Sequence, residues 1–221
     1  SDSDSEPFTN FVEIWDLRHP GSMAHSYSGC HSDAVQALSF SSEDRRLLMS
    51  GDASGLVNIF DMSLANEDEA LQSSMHLSSS IGGVGFLSSS RSYAVTDDNK
   101  LEVFLLNSPD DVDVRFRKDT VPENFLVDIL NVDNEAVCAL YSTASGAAAV
   151  YFYTNTGKEK SKEVFTSHKD LIRCAAYDIS SHFLITGDES GCITGRDLLP
   201  PANKLGATFR QRARKKKKPY D

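Results

Sequence analysis

The chain has 221 residues, 40% of them hydrophobic, and a formal net charge of −10 at pH 7. This length fits one globular domain or slightly more, and no apolar run approaches the roughly 18 residues that a membrane span requires. The four cysteines form neither a CxxC pair nor another metal-binding spacing, and the chain is long for a disulfide scaffold. We therefore expect a reducing compartment, no cofactor or metal, and no membrane contact.

Residues 1–10 are polar and acidic, which predicts a mobile loop before the first apolar alternation at Phe11 to Leu17. After that strand, alternating runs separated by turn residues predict four units of four short antiparallel strands. The predicted strands are 23–28, 34–40, 47–51 and 56–62; then 71–77, 81–87, 93–96 and 101–106; then 112–117, 125–131, 136–142 and 148–154; and finally 163–167, 172–177, 183–186 and 192–198.

One position near the end of each unit recurs along the chain. An aromatic residue occupies it in three units: Trp15, Phe60 and Phe104. Tyr153 is a weaker match to this pattern, and Arg196 occupies the position in the last unit. These positions are 43 to 49 residues apart. A period of about 40–45 residues with about four strands per unit is typical of a propeller blade.

Two units also share a histidine and a turn motif. SGDASGLVNIFD at 50–61 aligns with TGDESGCITGRD at 186–197, and the units open with His31 and His168. This combination over residues 11–198 resembles the WD-repeat family, whose units begin with Gly-His and end with Trp-Asp. The resemblance implies an all-β WD-repeat propeller at 11–199, with about four and a half blades of four-stranded antiparallel sheet in a partial ring.

The resemblance further implies a hydrogen-bonded chain in each blade, formed by the histidine, a Ser or Thr, an Asp in the turn and the Trp. These positions hold His31, Ser50, Ser54 and Phe60 in the first full unit and His168, Thr186, Ser190 and Arg196 in the last. Because the Asp and Trp positions hold other residues, we expect incomplete networks around buried, structural histidines. Trp15 occupies the aromatic position of the unit that opens the chain.

No sequence motif supports catalysis. The chain has no His-Glu-x-x-His motif, nucleophile elbow or Walker loop. Glycines at 82, 83 and 85 lack the helix and lysine of a phosphate loop, and close strand approach explains them better. The adjacent Asp97 and Asp98 would point to opposite faces of a strand or form a turn. We therefore predict a non-enzymatic scaffold for protein–protein interactions with no catalytic residues.

The chain ends in a basic segment. Pro200 and Pro201 close the strand pattern, and residues 202–221 contain eight lysines and arginines and one acid. Seven of the basic residues are close together: Arg210, Arg212, Arg214, Lys215, Lys216, Lys217 and Lys218. Such a run is typical of nuclear localisation signals and nucleic-acid patches, and its charge density predicts disorder.

We expect a nuclear protein whose tail binds an import receptor, with a cytoplasmic location as the alternative. Weak nucleic-acid or ribonucleoprotein contact through the tail is a second hypothesis. Two more alternatives stay open: a solvated tail without a partner, and a tail that contacts the acidic part of its own chain.

Phe11 to Leu17 has the pattern of the last strand of a blade whose earlier strands are missing. We therefore also expect roughly two and a half further units before Ser1 in a full-length protein.

Overall fold

The computed structural model describes residues 10–108, 111–118, 124–130, 136–154 and 156–199. The predicted basic tail at 200–221 and nearly all of the predicted acidic loop at 1–10 lie outside these residues. The chain divides into two compact units, Ser1–Asp119 and Thr120–Asp221. The described parts of both consist almost entirely of β-strands, as the alternating sequence predicts.

The first unit contains three antiparallel sheets with strand orders β1-β2, β3-β4-β5-β6 and β7-β8-β9-β10. The strands are β1 (Val12–Trp15), β2 (Met23–Tyr27), β3 (Val35–Phe40), β4 (Leu47–Asp52), β5 (Leu56–Asp61), β6 (Leu71–His76), β7 (Ile81–Ser88), β8 (Arg91–Thr96), β9 (Leu101–Ser108) and β10 (Asp111–Lys118). One helical turn, α1 (Glu67–Ala70), precedes β6, and Asn66 caps it by accepting from the Asp68 amide. Within the described ranges, no helix is long and apolar enough to span a membrane.

The second unit contains two antiparallel sheets with strand orders β11-β12-β13-β14 and β15-β16-β17. The strands are β11 (Asn124–Leu130), β12 (Ala136–Thr143), β13 (Ala148–Thr154), β14 (Glu159–Phe165), β15 (Ile172–Asp178), β16 (Phe183–Asp188) and β17 (Ile193–Asp197). In the part of the chain that the structure describes, the last sheet therefore has three strands where three earlier sheets have four.

The sequence units and the sheets are out of phase by one strand. The sequence interpretation placed residues 23–28 at the head of the first full unit, but β2 pairs with β1. Likewise, β6 pairs with β5, β10 with β9 and β14 with β13, so each completes the preceding sheet. This grouping was wrong because the sequence shows a repeat period but not where one sheet ends and the next begins.

The middle strands of the sheet β3–β6, β4 and β5, are buried on both faces, which explains why apolar residues do not simply alternate with polar ones along them. Leu48 and Phe60 pack on one side with Val12 and Tyr27 of the first sheet. The other side packs against the sheet β7–β10, and the residues buried there are Met49, Val57, Ile59, Leu77, Ile81, Val84, Ala94 and Phe104. In the second unit, one core joins the two sheets around Leu140, Phe152, Ile172, Leu184 and Leu198.

Candidate functional site

A buried polar network lies at one end of the sheet β3–β6. His31 precedes β3, and its Nε2 lies 2.6 Å from Ser50 Oγ while its Nδ1 lies 3.0 Å from Asp52 Oδ2. The side chains of His31 and Asp52 are fully excluded from solvent. Because an ionised carboxylate only accepts hydrogen bonds, Nδ1 carries a proton and donates to Asp52, and in the neutral ring Nε2 accepts from the Ser50 hydroxyl.

The second oxygen of Asp52 fixes the turn between β4 and β5. Asp52 Oδ1 accepts from the Ser54 amide at 2.9 Å, the Ser54 hydroxyl at 2.7 Å and the Leu56 amide at 3.0 Å. Gly55 follows with a φ of 98°, a left-handed conformation that favours glycine. Burial raises the pKa of the Asp52 carboxyl, but the donors from Ser54, His31 and Leu56 outweigh burial and hold it below its ordinary value.

The same network recurs in the sheet β15–β17. His168 Nδ1 lies 3.0 Å from Asp188 Oδ2, and its Nε2 lies 2.7 Å from Thr186 Oγ1. Asp188 Oδ1 accepts from the Ser190 amide at 3.0 Å, the Ser190 hydroxyl at 2.7 Å and the Cys192 amide at 2.9 Å. The Ser190 hydroxyl is the main cause that holds the pKa of Asp188 well below its ordinary value, against the effect of burial.

The carboxylates come from positions that the sequence interpretation missed. It assigned Ser54 and Ser190 to the Asp position and therefore expected incomplete networks. In the structure, Asp52 and Asp188 stand two residues earlier and contact the histidines, and the serines donate to them. Residues two apart on a strand share a face, so Ser50 and Asp52 both reach His31. The aligned Gly-Asp pairs of the two motifs were the available signal.

Other side chains occupy the place of the missing tryptophans. Phe60 is fully buried and stacks on Tyr27, with ring centroids 4.6 Å apart. Arg196 lies 4.1 Å from the ring centroid of Phe165, and its Nη2 is 3.9 Å from Glu163 Oε1. These contacts fill the space, but neither side chain contributes a tryptophan-like donor to the network.

A further polar residue of this network, on the neighbouring strand, was also not predicted. Thr194 Oγ1 lies 2.9 Å from His168 Nε2 and 3.1 Å from Thr186 Oγ1. The corresponding Asn58 instead donates from Nδ2 to the carbonyl of Cys30 at 2.6 Å, which ties β5 to the loop before His31. Register shows the equivalence, since Asn58 pairs with Ser50 and Thr194 with Thr186.

The remaining predicted positions lie apart from these networks. Trp15 is 47% exposed in the two-stranded sheet, and its Nε1 donates to Glu13 Oε2 at 3.3 Å. The Gly82 to Gly85 segment lies within β7, and Asp97 and Asp98 form a turn after β8. The predicted tail residues Arg210 to Lys218 lie outside the described residues.

Ser50, His31 and Asp52 have the composition of a hydrolytic triad, but their surroundings differ from those of an active site. The Ser50 hydroxyl belongs to a residue with no solvent-exposed surface, so a substrate cannot reach it. In the second network a threonine takes its place. The arrangement therefore joins strands and turns, and it presents no reactive atom at the surface.

One group of described residues has metal-binding composition. Ligand atoms of His168, Asp188 and Cys192 all lie within 4.8 Å of one another. However, the distance from histidine Nδ1 to aspartate Oδ2 is 3.0 Å in both networks, and in the network of His31 and Asp52 the position of the cysteine holds Leu56. A hydrogen bond explains this separation in both places, and the cysteine is not needed for it.

Comparison with known proteins decides the fold. No protein-family model matches the chain. The β-propeller domain of Cps50 (Swd1) from Myceliophteria thermophila superposes with a TM-score of 0.69 at 17% identity, covering 87% of this chain and 60% of that one. BamB from Moraxella catarrhalis superposes at 0.59, also at 17% identity, covering 85% and 52%.

The fold is a β-propeller fold. The predicted all-β class with four-stranded antiparallel blades is therefore confirmed.

Curated relatives support a WD-repeat propeller family. An uncharacterized WD repeat-containing protein of Schizosaccharomyces pombe is 22% identical over 82% of this chain and 61% of its own length. Another, from Saccharomyces cerevisiae, is 29% identical over 45% of this chain and 25% of its own length. The chain thus spans less than two thirds of either relative.

Proposed function

We propose that this chain is a non-enzymatic scaffold that binds other proteins through the blade loops held by the two histidine networks. The observation that carries the proposal is that each network joins two loops to the body of its sheet. His31 belongs to the loop before β3, and Asp52 caps the turn between β4 and β5. His168 and Asp188 do the same before β15 and after β16.

Direct contacts between the loops add to this restraint. The Ala53 amide donates to the Ala34 carbonyl at 2.9 Å, and the Glu189 amide donates to the Leu171 carbonyl at 3.0 Å. Loops that are already ordered lose little conformational entropy when a partner docks. Binding residues also lie disproportionately on loops that a rigid scaffold positions.

The outer side chains of these loops are polar and accessible. Ser32 and Asp33 are exposed next to the buried His31, and Lys169 is exposed next to the buried His168. The histidines therefore serve the fold, and their neighbours are the side chains that a protein partner would contact.

Affinity capture with quantitative mass spectrometry tests the proposal. Asp33→Arg and Lys169→Glu should each remove a set of captured partners without lowering the melting temperature. Glu69→Arg and Lys160→Glu, which reverse charge at exposed positions outside the loops, are matched controls and should retain those partners. Capture of the same partners by both loop variants as by the parent would refute the proposal.

We further propose a nuclear location, on the evidence of sequence alone. The basic run from Arg210 to Lys218 would pair with an acidic groove of an import receptor. The same charge supports the second candidate function, association with nucleic acid or ribonucleoprotein through the tail. Salt-dependent RNA or DNA binding that disappears when the tail is deleted would favour that candidate.

A further inference from the structure

The last strand of the sheet β3–β6 directs part of its backbone away from the sheet. β6 pairs with β5 on one side, and Leu77 N, just after β6, donates to Gly55 O at 2.8 Å. In an antiparallel ladder, residue pairs that exchange backbone hydrogen bonds alternate with pairs that do not. Counting back from Leu77 along this register, Ser74 and His76 turn their N–H and C=O groups away from β5.

This side of β6 has no partner among the residues that the structure describes. The two faces of the sheet pack on the sheets β1-β2 and β7–β10, and neither of them pairs with β6. The outward N–H and C=O groups of Ser74 and His76 have no hydrogen-bond partner in the described ranges, and both side chains are exposed. We call these four backbone groups the β6 edge.

The β6 edge lacks the features that usually protect an exposed strand, which are charged side chains, proline and bulges. The last strands of the other two four-stranded sheets, β10 and β14, have the sequences DVDVRFRK and EKSKEVF, and both are rich in charge. β6 has the sequence LQSSMH, with no lysine, arginine, acid or proline. Its one bulge is at Gln72, near the start of the strand, and the register from Ser73 to His76 is regular.

We propose that the β6 edge binds an extended segment of a partner protein as a fifth, antiparallel strand. Backbone N–H and C=O groups at strand spacing bind the backbone of another extended chain, and antiparallel pairing is the more stable arrangement. The residue of the partner that lies opposite the half-buried Met75 places its side chain beside it, where a β-branched aliphatic side chain fits. This surface is separate from the loops of the proposed function, and neither proposal depends on the other.

Charge near the start of β6 favours a basic partner segment. The helical turn α1 leads directly into β6, and its Asp68 and Glu69 are exposed. Neither α1 nor β6 contains a lysine or arginine that would offset these charges. An antiparallel segment has its C-terminal end at the start of β6, so lysine or arginine at that end is attracted to α1. The partner segment therefore has alternating β-branched residues followed by basic ones.

Titration of the intact chain with the synthetic peptide acetyl-Thr-Val-Thr-Val-Lys-Lys-amide tests the proposal. Its two threonines should pair with His76 and Ser74, so binding should slow hydrogen exchange of these two amides by about tenfold or more, measured by NMR. N-methylation of both threonines removes the N–H groups that face β6 and should weaken binding by about tenfold or more. The matched control is N-methylation of both valines, whose N–H groups face away from β6, and it should preserve binding.

Variants of the chain test the same contact from the other side. Ser74→Pro removes an N–H of the β6 edge but no hydrogen bond to β5, so the fold should be kept and the affinity for the peptide should fall about tenfold. Ser74→Ala keeps the amide and should bind like the parent. Asp68→Lys should weaken binding of this peptide but not of the same peptide with glutamine in place of lysine.

The two N-methylated peptides decide the result even if Ser74→Pro lowers the melting temperature, because they leave the chain unchanged. No saturable binding, equal binding of the two N-methylated peptides, or binding without protection of Ser74 and His76 would overturn the proposal. Amides at these positions that are already protected in the intact chain, and that exchange faster when residues 208–221 are deleted, would also overturn it. That outcome would identify the chain's own tail as the occupant of the β6 edge.

Discussion

Asp52 Oδ2 lies 3.0 Å from His31 Nδ1, and neither side chain has any solvent-exposed surface. Asp188 and His168 repeat this contact at the same distance in the other unit. In both places a hydroxyl contacts Nε2 of the histidine. In both places, too, the serine two residues after the aspartate donates to its carboxylate. One molecule thus contains two matched networks, so each provides a control for substitutions in the other.

Replacement of His31 by alanine should destabilise the first unit. The change leaves Ser50 without its partner and removes the His31 donor to Asp52, and a lost buried hydrogen bond costs about 1–3 kcal/mol. Chemical denaturation followed by circular dichroism measures the effect. Lys169→Ala, at an exposed position beside the second network, is the control and should change stability little. A His31→Ala protein as stable as the parent would contradict the structural role.

The networks should make the protein sensitive to acid. The pKa values of Asp52 and Asp188 lie below their ordinary value in the folded state, so their stabilisation is present above about pH 4 and is lost as the pH falls toward the folded pKa. Urea midpoints measured from pH 6 down to pH 2 should therefore decrease once the pH is below about 4. Ser54→Ala removes a donor to Asp52 and should shift the fall to higher pH. A midpoint that is constant with pH would contradict this.

The four thiols should differ in reactivity. Burial, followed by the nearby Glu67 carboxylate, raises the pKa of Cys30 to about 12, and Cys138 is completely buried. Cys174 and Cys192 are exposed. Because the thiolate is the reactive form, iodoacetamide at neutral pH should label the two exposed cysteines first. Peptide mass spectrometry over time measures the order, and labelling of Cys30 as fast as Cys192 would contradict it.

Deletion of residues 208–221 should impair nuclear import without lowering the melting temperature. A fluorescent fusion too large to diffuse through nuclear pores reports the location, and Lys215 to Lys218 replaced by glutamine tests the charge alone. We expect both variants to shift toward the cytoplasm. A fusion that stays nuclear would refute the localisation proposal. A large drop in melting temperature would instead favour contact between the tail and the acidic part of its own chain.

Much of the fold followed from local sequence. Alternating apolar residues predicted strands, and the recurrence of Trp15, Phe60 and Phe104 predicted a blade-length repeat, because both are patterns of residue type along the chain. Sheet membership did not follow, since β2 could pair forward or backward and the apolar pattern is the same in either case. The structure places β2 with β1.

The site was predictable in its residue types but not in its connections. His31 and Ser50 could be matched to a family pattern position by position. Asp52 was missed although the Gly-Asp pairs align, because the predicted strand 47–51 ends one residue before it, whereas β4 extends to Asp52, which shares a face with Ser50 and reaches His31. Thr194 was missed for a related reason, since its contact with His168 depends on the register of β16 and β17.

The most direct test compares partner capture per folded molecule between His31→Ala and Asp33→Arg. It asks whether the networks stabilise the blades while the loops bind partner proteins. We predict that His31→Ala lowers the melting temperature and reduces capture per folded molecule only modestly, because the loop before β3 becomes less ordered but keeps the side chains that contact partners. We predict that Asp33→Arg melts like the parent and loses partners. A His31→Ala protein with unchanged melting and lost capture, or an Asp33→Arg protein with full capture, would contradict this division of roles.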